Sequence, residues 1–297
     1  MTANASMKLK KVSAWFSIAV LLALAANGVL MLLIRQAHNS VVAAQEHRQN
    51  ATALTNELRQ ETEQLARLVR SYAVTGEPRY LFYYYDIVAI QKGEKAAPAD
   101  FNPATYWDAV IAGRLEHKLP ADGARQSRAE RMTRLGFSAA EFAGLKAVLG
   151  ATAAMNRIEQ IAFAATQGLY DPASAEFVSD GEPHRDFASE LVHGADYNRF
   201  KGDLSAAVER LAQMVDQRTN AEMARAAARL ERLILLALGT LGASIALVLF
   251  ASQVIRRRVL IPIGLLSRAA DRLAGGDYGT RVGTRGESVE ELAGGAR

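Results

Sequence analysis

The chain has 297 residues, half of them hydrophobic, and a formal net charge of +4. That charge is too small and too evenly spread for a nucleic-acid-binding surface, and the absence of cysteine excludes disulfides, thiolate metal sites and cysteine nucleophiles. Because the charged fraction, 22%, is ordinary for a soluble protein, the apolar residues must be concentrated in particular segments.

The first such segment is an uncharged run, Val12–Ile34. At ~1.5 Å per residue, a helix of this length crosses a hydrocarbon layer of ~30 Å. Lys8, Lys10 and Lys11 would also suit a cleaved signal peptide, but the apolar run exceeds the about 7–15 residues of such peptides. We therefore predict an uncleaved transmembrane helix at 12–34, preceded by a short terminus at 1–11.

A second uncharged run, Leu233–Ile255, has the same length and character. Small residues repeat along it at a spacing that lets another helix approach closely, at Gly239, Gly242, Ala243 and Ala246. A buried helix of a soluble protein is seldom so long and so uniformly apolar. We predict a second transmembrane helix at 233–255.

Charges around the first run predict the orientation. Three lysines precede it and only Arg35 follows closely, so the N-terminus is expected in the cytoplasm. Arginines flank the second run on both sides, so they do not indicate its orientation in the membrane. We expect residues 35–232 in a bacterial periplasm and residues 256–297 in the cytoplasm, as in a multi-pass protein of the bacterial inner membrane.

Between the two runs, the sequence is typical of long helices. Gly76 and Pro78 predict the end of one helix and the first turn of the next. The helix before this break has an apolar seam with the polar Glu61 in its gap. The members of the seam are Leu54, Leu58, Leu65, Leu68 and Tyr72.

The rest of this region continues the pattern. Residues 93–136, rich in Gly, Pro and charge, are expected to be irregular. Ser138 and Glu141 form the pattern of a capping box for a long Ala-rich helix, expected to end at about Tyr170 before Asp171-Pro172. A further seam comprises Leu204, Val208, Leu211 and Val215. The predicted fold is all-α: two transmembrane helices flanking an elongated periplasmic antiparallel bundle.

Four segments carry a resemblance to a known class of receptor: LVRSYAVTGEPRYLFYYYDIVAIQKGEKAAP (68–98), YWD (106–108), GFSAAEF (136–142) and LVHGADYNRFK (191–201). They resemble the periplasmic sensor region of certain bacterial transmembrane receptors. In those receptors this region stands before histidine kinase, nucleotide cyclase or chemotaxis signalling modules. The resemblance covers most of residues 50–215 and implies a sensor, but it does not imply a particular ligand.

Residues 256–297 contain an apolar seam after a proline, a Gly-rich connector and the start of a second seam. This layout resembles a HAMP domain, the parallel four-helix coiled-coil relay of dimeric bacterial receptors. Two departures are that Ser288 replaces the second acid that usually opens the second helix, and that this helix is too short to complete the bundle. The resemblance implies signal-relay residues at Pro262, Ile263, Leu266, Ala270, Leu273, Gly276, Asp277, Glu287, Val289 and Leu292.

The aromatic run from Tyr80 to Tyr85 is the leading candidate for a binding site. Counted along a helix from the first span, it lies tens of ångströms from the bilayer, so it is not a membrane-interface belt. Basic side chains beside phenols would suit a small anion or carboxylate. The alternative is plain core packing, since several of these rings fall on one helical face. The candidate residues are Arg70, Tyr72, Arg79, Tyr80, Tyr83, Tyr84, Tyr85, Lys92, Tyr106 and Trp107.

No residue pattern predicts catalysis. The five histidines show no metal-ligand spacing, and no P-loop or nucleophile elbow occurs, so no cofactor or metal is expected. The predicted function is a transmembrane signal-transduction receptor, expected to be a homodimer, with a small-molecule ligand and a cytoplasmic kinase or receptor partner. One alternative is the N-terminal fragment of a sensor histidine kinase or cyclase that has lost its output domain. The other is a non-catalytic membrane adaptor that pairs with a complete receptor.

Overall fold

The structure is a computed structural model that describes residues 2–98, 101–103, 105–120, 122–257 and 261. Helices dominate these residues, and the strands among them are two residues long, so the all-α prediction is confirmed. The segment that resembles a HAMP domain, with every predicted relay residue from Pro262 to Leu292, lies outside the described residues.

The elements follow one another in the order α1 Thr2–Thr75, α2 Pro78–Lys92, α3 Tyr106–Ile111, α4 Arg128–Arg134, α5 Ala139–Gln167, β1 Tyr170–Asp171, β2 Glu176–Phe177, α6 Arg185–His193 and α7 Ala195–Ile255. Contacts divide the chain into two compact units. One consists of Met1–Gln36 with Leu230–Arg297, and the other is Ala37–Arg229. Helices α1 and α7 each contribute residues to both units.

The first unit contains the two apolar runs. Both helices are long and apolar enough to span a membrane, and the most apolar window of each is unburied, which favours a membrane protein. Asn27 of α1 donates to Ser244 of α7 (3.3 Å) and accepts from Thr240 (3.2 Å). A Cβ added at Gly239 or Gly242 would meet no described atom within 4 Å, so this part of the small-residue face is open.

In the second unit, α1 and α7 are antiparallel. The α7 partners of successive α1 side chains lie progressively nearer the start of α7. Most of the ion pairs between α1 and α7 are half-exposed and worth at most about 1 kcal/mol each. They show that the two helices are antiparallel but contribute little to stability. The pairs are Arg48–Asp216 (3.3 Å), Arg59–Glu209 (2.6 Å) and Glu63–Lys201 (2.7 Å).

The core of this unit contains both predicted seams. Each fully buried aliphatic side chain contributes about 1.5–3 kcal/mol of burial free energy, so the seams are the main source of cohesion. Glu61, the polar residue in the first gap, is buried as well, at 4% exposed. The buried seam residues are Leu54, Leu58, Leu68 and Tyr72 on α1 and Leu204, Val208, Leu211 and Val215 on α7, with Leu65 partly buried.

Three of the predicted helix boundaries are confirmed. Gly76 follows the last residue of α1 with φ +67°, a left-handed conformation that glycine adopts without strain, and Pro78 begins α2. Ser138 and Glu141 form a reciprocal capping box at the start of α5. These boundaries follow from local backbone chemistry, which is why the sequence alone predicts them.

The predicted end of α5 at about Tyr170 is wrong. The helix ends at Gln167 because Gly168 takes a left-handed conformation and its amide closes the last turn on Ala165. Tyr170 instead begins the short strand β1 and pairs with Phe177. The glycine stops the helix before the Asp-Pro pair can do so.

The prediction that residues 93–136 are irregular is wrong in part, because they contain α3 and α4. Ser127 and Glu130 form a second capping box at the start of α4, which buries Met132. Helix α3 buries Trp107 and Val110. The two helices have only 6 and 7 residues, too few turns for an apolar period to emerge from the sequence.

Candidate functional site

A cavity of about 350 Å³ opens among the helices of the second unit. Its walls come from α1, α2, the start of α4, α5 and α7, and they are mostly apolar. Small-molecule sites commonly enclose about 300–1,000 Å³ with a few polar groups on an apolar wall. The apolar side chains of this wall include Leu58, Leu65, Val88, Leu145, Val148 and Leu204.

Glu159 of α5 is the buried acid of the cavity and is only 2% exposed. The Tyr84 hydroxyl donates to Glu159 Oε2 (2.7 Å), and the Tyr197 hydroxyl donates to Oε1 (3.2 Å). The oxygen of Tyr84 also lies 3.1 Å from Asn156 Oδ1, another acceptor. With the amide of Asn156 in this orientation, the single hydrogen of Tyr84 serves two acceptors.

Burial governs the titration of this group. It raises the pKa of Glu159, and the hydrogen bonds from Tyr84 and Tyr197 offset part of that rise. Burial also raises the pKa of both phenols, and the neighbouring Glu159 carboxylate raises them further. The two tyrosines therefore stay protonated and act as donors, without bringing a positive charge to Glu159.

A different polar group lines the cavity near the C-terminal end of α2. Arg128 donates to the buried carboxylate of Glu61, to which Gln91 also donates at 3.0 Å. Burial lowers the pKa of Arg128 to about 10, so the guanidinium stays charged at neutral pH. Arg131, on the next turn, donates twice to Glu57 (2.7 and 2.6 Å). Acids and bases are matched in number at this end.

Two of the predicted ligand-binding residues, Tyr84 and Lys92, line this cavity. Tyr84 is buried, whereas Lys92 is exposed at the edge of the wall. Tyr72 is buried in the core, and Tyr85 is half-exposed, with its ring 5.4 Å from that of Tyr84 in an edge-on arrangement. The structure thus assigns packing and lining roles to members of the same aromatic run.

The two predicted arginines do not line the cavity. Arg70 donates to Asn198 Oδ1 (3.2 Å), and its guanidinium lies 5.5 Å from the centre of the Tyr197 ring. Arg79 lies 4.8 Å from the ring of its neighbour Tyr80. An anionic ligand in the cavity would meet neither arginine, and the anionic ligand class stays a prediction.

The remaining predicted residues form a separate aromatic cluster around a histidine. His117 packs 4.8 Å from Trp107 and 5.4 Å from Tyr83, measured between ring centres. Its Nδ1 lies 2.9 Å from the hydroxyl of Tyr106, and its Nε2 lies 2.9 Å from Asp86 Oδ2. Both ring nitrogens have protein partners, so this cluster joins α2 to α3 and the chain that follows α3.

Sequence reasoning missed Glu159, Arg128 and His117. A signal for Glu159 existed: it lies on the buried face of α5 between Met155 and Phe163, a polar residue at a position expected to be apolar. Arg128 and His117 lie in the region predicted to be irregular, where no periodic pattern distinguishes a buried polar residue from a solvated one. Only the fold brings them against the bundle.

Among the residues that the structure describes, no group of three or more His, Cys, Asp or Glu side chains could hold a metal ion. No protein-family model matches the chain, and searches of the curated proteins and of the solved structures found no match. The site geometry therefore carries the functional argument. The cavity has the volume and the apolar wall of a small-molecule site, with Glu159 among its lining residues.

Proposed function

We propose that the protein is a transmembrane receptor whose ligand occupies the cavity of the second unit. The observation that carries this proposal is that α1 and α7 both contribute to the cavity wall, through Leu58, Thr62 and Leu65 on α1 and Leu204 on α7. These two helices also contain the apolar spans. A change in their packing at the ligand is therefore connected, through continuous helix, to the membrane segments.

A ligand acts on such a pair of helices only if it binds one packing more tightly than another. The pairs that join α1 to α7 in this unit are mainly half-exposed, such as Arg59–Glu209, so shifting one helix past the other sacrifices little polar energy. The apolar seams are buried and hold the two helices together. We propose that ligand binding selects among these packings.

The wider architecture of the proposal rests on sequence. The three lysines before the first span support a cytoplasmic N-terminus, with residues 35–232 in the periplasm of a bacterial inner membrane. The resemblance of residues 256–297 to a HAMP domain supports a homodimer that relays the signal to a cytoplasmic kinase or receptor partner. In this arrangement the chain itself needs no catalytic site.

Distances between spin labels test the connection from cavity to spans. The chain has no native cysteine, so Arg35→Cys and Arg232→Cys can be labelled without background in the full-length protein in lipid nanodiscs. Thr152→Phe then fills the cavity and imitates occupancy. We expect the distance distribution between the two labels to shift. Double electron–electron resonance measures that shift.

The matched control is Gln160→Phe, which adds the same ring to an exposed position of α5 outside the cavity. It should leave the label distances unchanged. Identical distributions for the unfilled protein and Thr152→Phe, with the helical circular dichroism intact, would refute the proposed connection. A shift of equal size in both variants would refute it as well.

Labelling in intact cells tests the topology. Lys146→Cys introduces a thiol at an exposed position of α5. A membrane-impermeant maleimide should label it in intact bacteria whose outer membrane has been permeabilised. Labelling only after lysis of the inner membrane would place this unit in the cytoplasm and reject the periplasmic assignment.

A further inference from the structure

We propose that the cavity binds a small organic amine, with its protonated nitrogen at Glu159 and its apolar body along the aliphatic wall. This inference names the ligand class of the proposed receptor and rests on that function for its biological meaning. It rests physically on the unequal treatment of charge along the cavity. Its test is a binding measurement that does not depend on signalling.

Glu159 lacks a cationic partner among the described residues. The hydrogen-bond donors to Glu159 are the neutral hydroxyls of Tyr84 and Tyr197, and no Lys, Arg or His of the described chain pairs with this carboxylate. A buried acid that lacks a cationic partner favours its neutral form, since removal from water is expensive for an isolated ion. An ammonium group in the cavity would supply that partner.

Hydrogen-bond donors are also fewer than acceptors around Tyr84. Tyr84 offers one hydrogen to Glu159 and Asn156 together, at 2.7 and 3.1 Å. Asn156 and Glu159 both line the cavity, so whichever acceptor Tyr84 leaves is open to a ligand. A protonated primary amine carries three donors and no acceptor, which matches this shortage of hydrogen atoms. A carboxylate would add acceptors where acceptors are already in excess.

Two basic residues, Arg128 and Lys92, line the same cavity. Arg128 already donates to the carboxylate of Glu61, and that acid is buried with it. Lys92 is exposed and lies 3.9 Å from Glu94, where water screens its charge. An anionic ligand would therefore gain little from either cation and would be repelled by Glu159.

The volume and the wall of the cavity limit the size and shape of the ligand. A volume of about 350 Å³ and an aliphatic wall suit a molecule with one compact apolar group rather than a polyamine. Val88, Leu145 and Val148 supply that wall beside Glu159 and Tyr84. Burying the apolar body provides affinity, and the ammonium group provides selectivity.

Three probes of one skeleton test the proposal: 2-phenylethylamine, 2-phenylethanol and phenylacetate. Calorimetric titration of the full-length protein in detergent micelles should rank the amine at least tenfold tighter than the alcohol, with no measurable binding of the carboxylate. This ranking needs no variant, so it does not depend on the stability of a mutant. Equal affinities, a tighter carboxylate or no binding of any probe would overturn the proposal.

Glu159→Gln then tests the anchor. It keeps an acceptor for the tyrosines but removes the negative charge, so the amine should lose about tenfold in affinity while the alcohol is unaffected. Glu209→Gln removes a half-exposed acid outside the cavity and should change neither probe. An unchanged preference for the amine in Glu159→Gln would overturn the assignment of the anchor.

The two proposals fail separately. If the amine binds as described but Thr152→Phe leaves the label distances unchanged, the receptor function fails and the ligand class stands. If Thr152→Phe shifts the distances and none of the probes binds, the amine class fails and the receptor function stands.

Discussion

Two buried carboxylates of the same bundle are held in different ways. Glu61 accepts from Arg128 and Gln91, so its charge and its hydrogen bonds are both satisfied by the protein. Glu159 accepts only from the neutral phenols of Tyr84 and Tyr197. The first arrangement compensates the acid entirely with groups of the protein. The second leaves the ionised form of the acid without a cationic partner beside a cavity, and burial raises its pKa accordingly.

The largest expected effect comes from breaking the matched pair. Arg128→Ala should lower the free energy of unfolding by about 3 kcal/mol, because it leaves Glu61 buried without its cation. Urea unfolding of the full-length protein in detergent, followed by circular dichroism, measures the change. Arg114→Ala, at an exposed position, is the control and should stay within about 0.5 kcal/mol of wild type. Equal stability of the two variants would show that the pair does not hold the fold.

A smaller loss is expected from removing one phenol at the other carboxylate. Tyr84→Phe should destabilise the protein by about 1.5 kcal/mol, since buried Glu159 loses its shorter hydrogen bond. The matched control is its half-exposed neighbour, for which Tyr85→Phe should be nearly neutral. Midpoints of urea unfolding compare the two. A larger effect at Tyr85 would contradict the assignment of Tyr84 as the structural donor.

The amides beside the two acids sharpen the comparison further. Gln91→Leu removes a donor to Glu61 and should cost about 1 kcal/mol. Asn156→Leu removes an acceptor that competes with Glu159 for the hydrogen of Tyr84, so it should be close to neutral. The same unfolding measurement applies to both. If Asn156→Leu is the more destabilising of the two, the shortage of donors at Glu159 is not real.

The subtlest contrast is a change in the sign of pH dependence between Glu159 and Glu141. Because burial raises the pKa of Glu159 in the folded protein, the stability linked to its protonation is present below the ordinary glutamate pKa of about 4.3 and is lost as the pH rises. Wild type should therefore lose stability relative to Glu159→Gln as the pH rises from the ordinary glutamate pKa through the raised one.

Glu141 should respond in the opposite direction. Burial alone would raise its pKa, but hydrogen bonds from Arg218 and from the Ser138 cap outweigh burial and lower it. Its contribution is present above the ordinary glutamate pKa and is lost as the pH falls through the lowered value. Wild type should gain stability over Glu141→Gln as the pH rises through the acid range. Parallel slopes for the two variants would contradict the difference in environment.

The parts of the fold that could be predicted are those that depend on local or periodic signals. Gly76 and Pro78 separate two helices because left-handed backbone and the first helical turn suit those residues. The seam from Leu54 to Tyr72 is buried because its spacing puts the side chains on one face. Helices α3 and α4 could not be predicted, since a helix of two turns has no period to detect.

The candidate site was predicted only in part. Tyr84 was among the predicted residues because aromatic clusters suggest pockets, and it does line the cavity. The helical face could not distinguish it from Tyr83, which packs instead against Trp107 and His117. Which ring meets a cavity and which meets another ring depends on α5, Trp107 and His117, all of which lie outside α2.

By itself, the sequence determined the all-α class, the two apolar helices and the seams of α1 and α7, because charge-free length and periodicity act within a single helix. Only the tertiary structure decided that Arg128 pairs with Glu61 while Glu159 is left with the phenols of Tyr84 and Tyr197. The reason is that charge compensation inside a protein depends on distances between different helices, and no spacing along one chain segment specifies those distances.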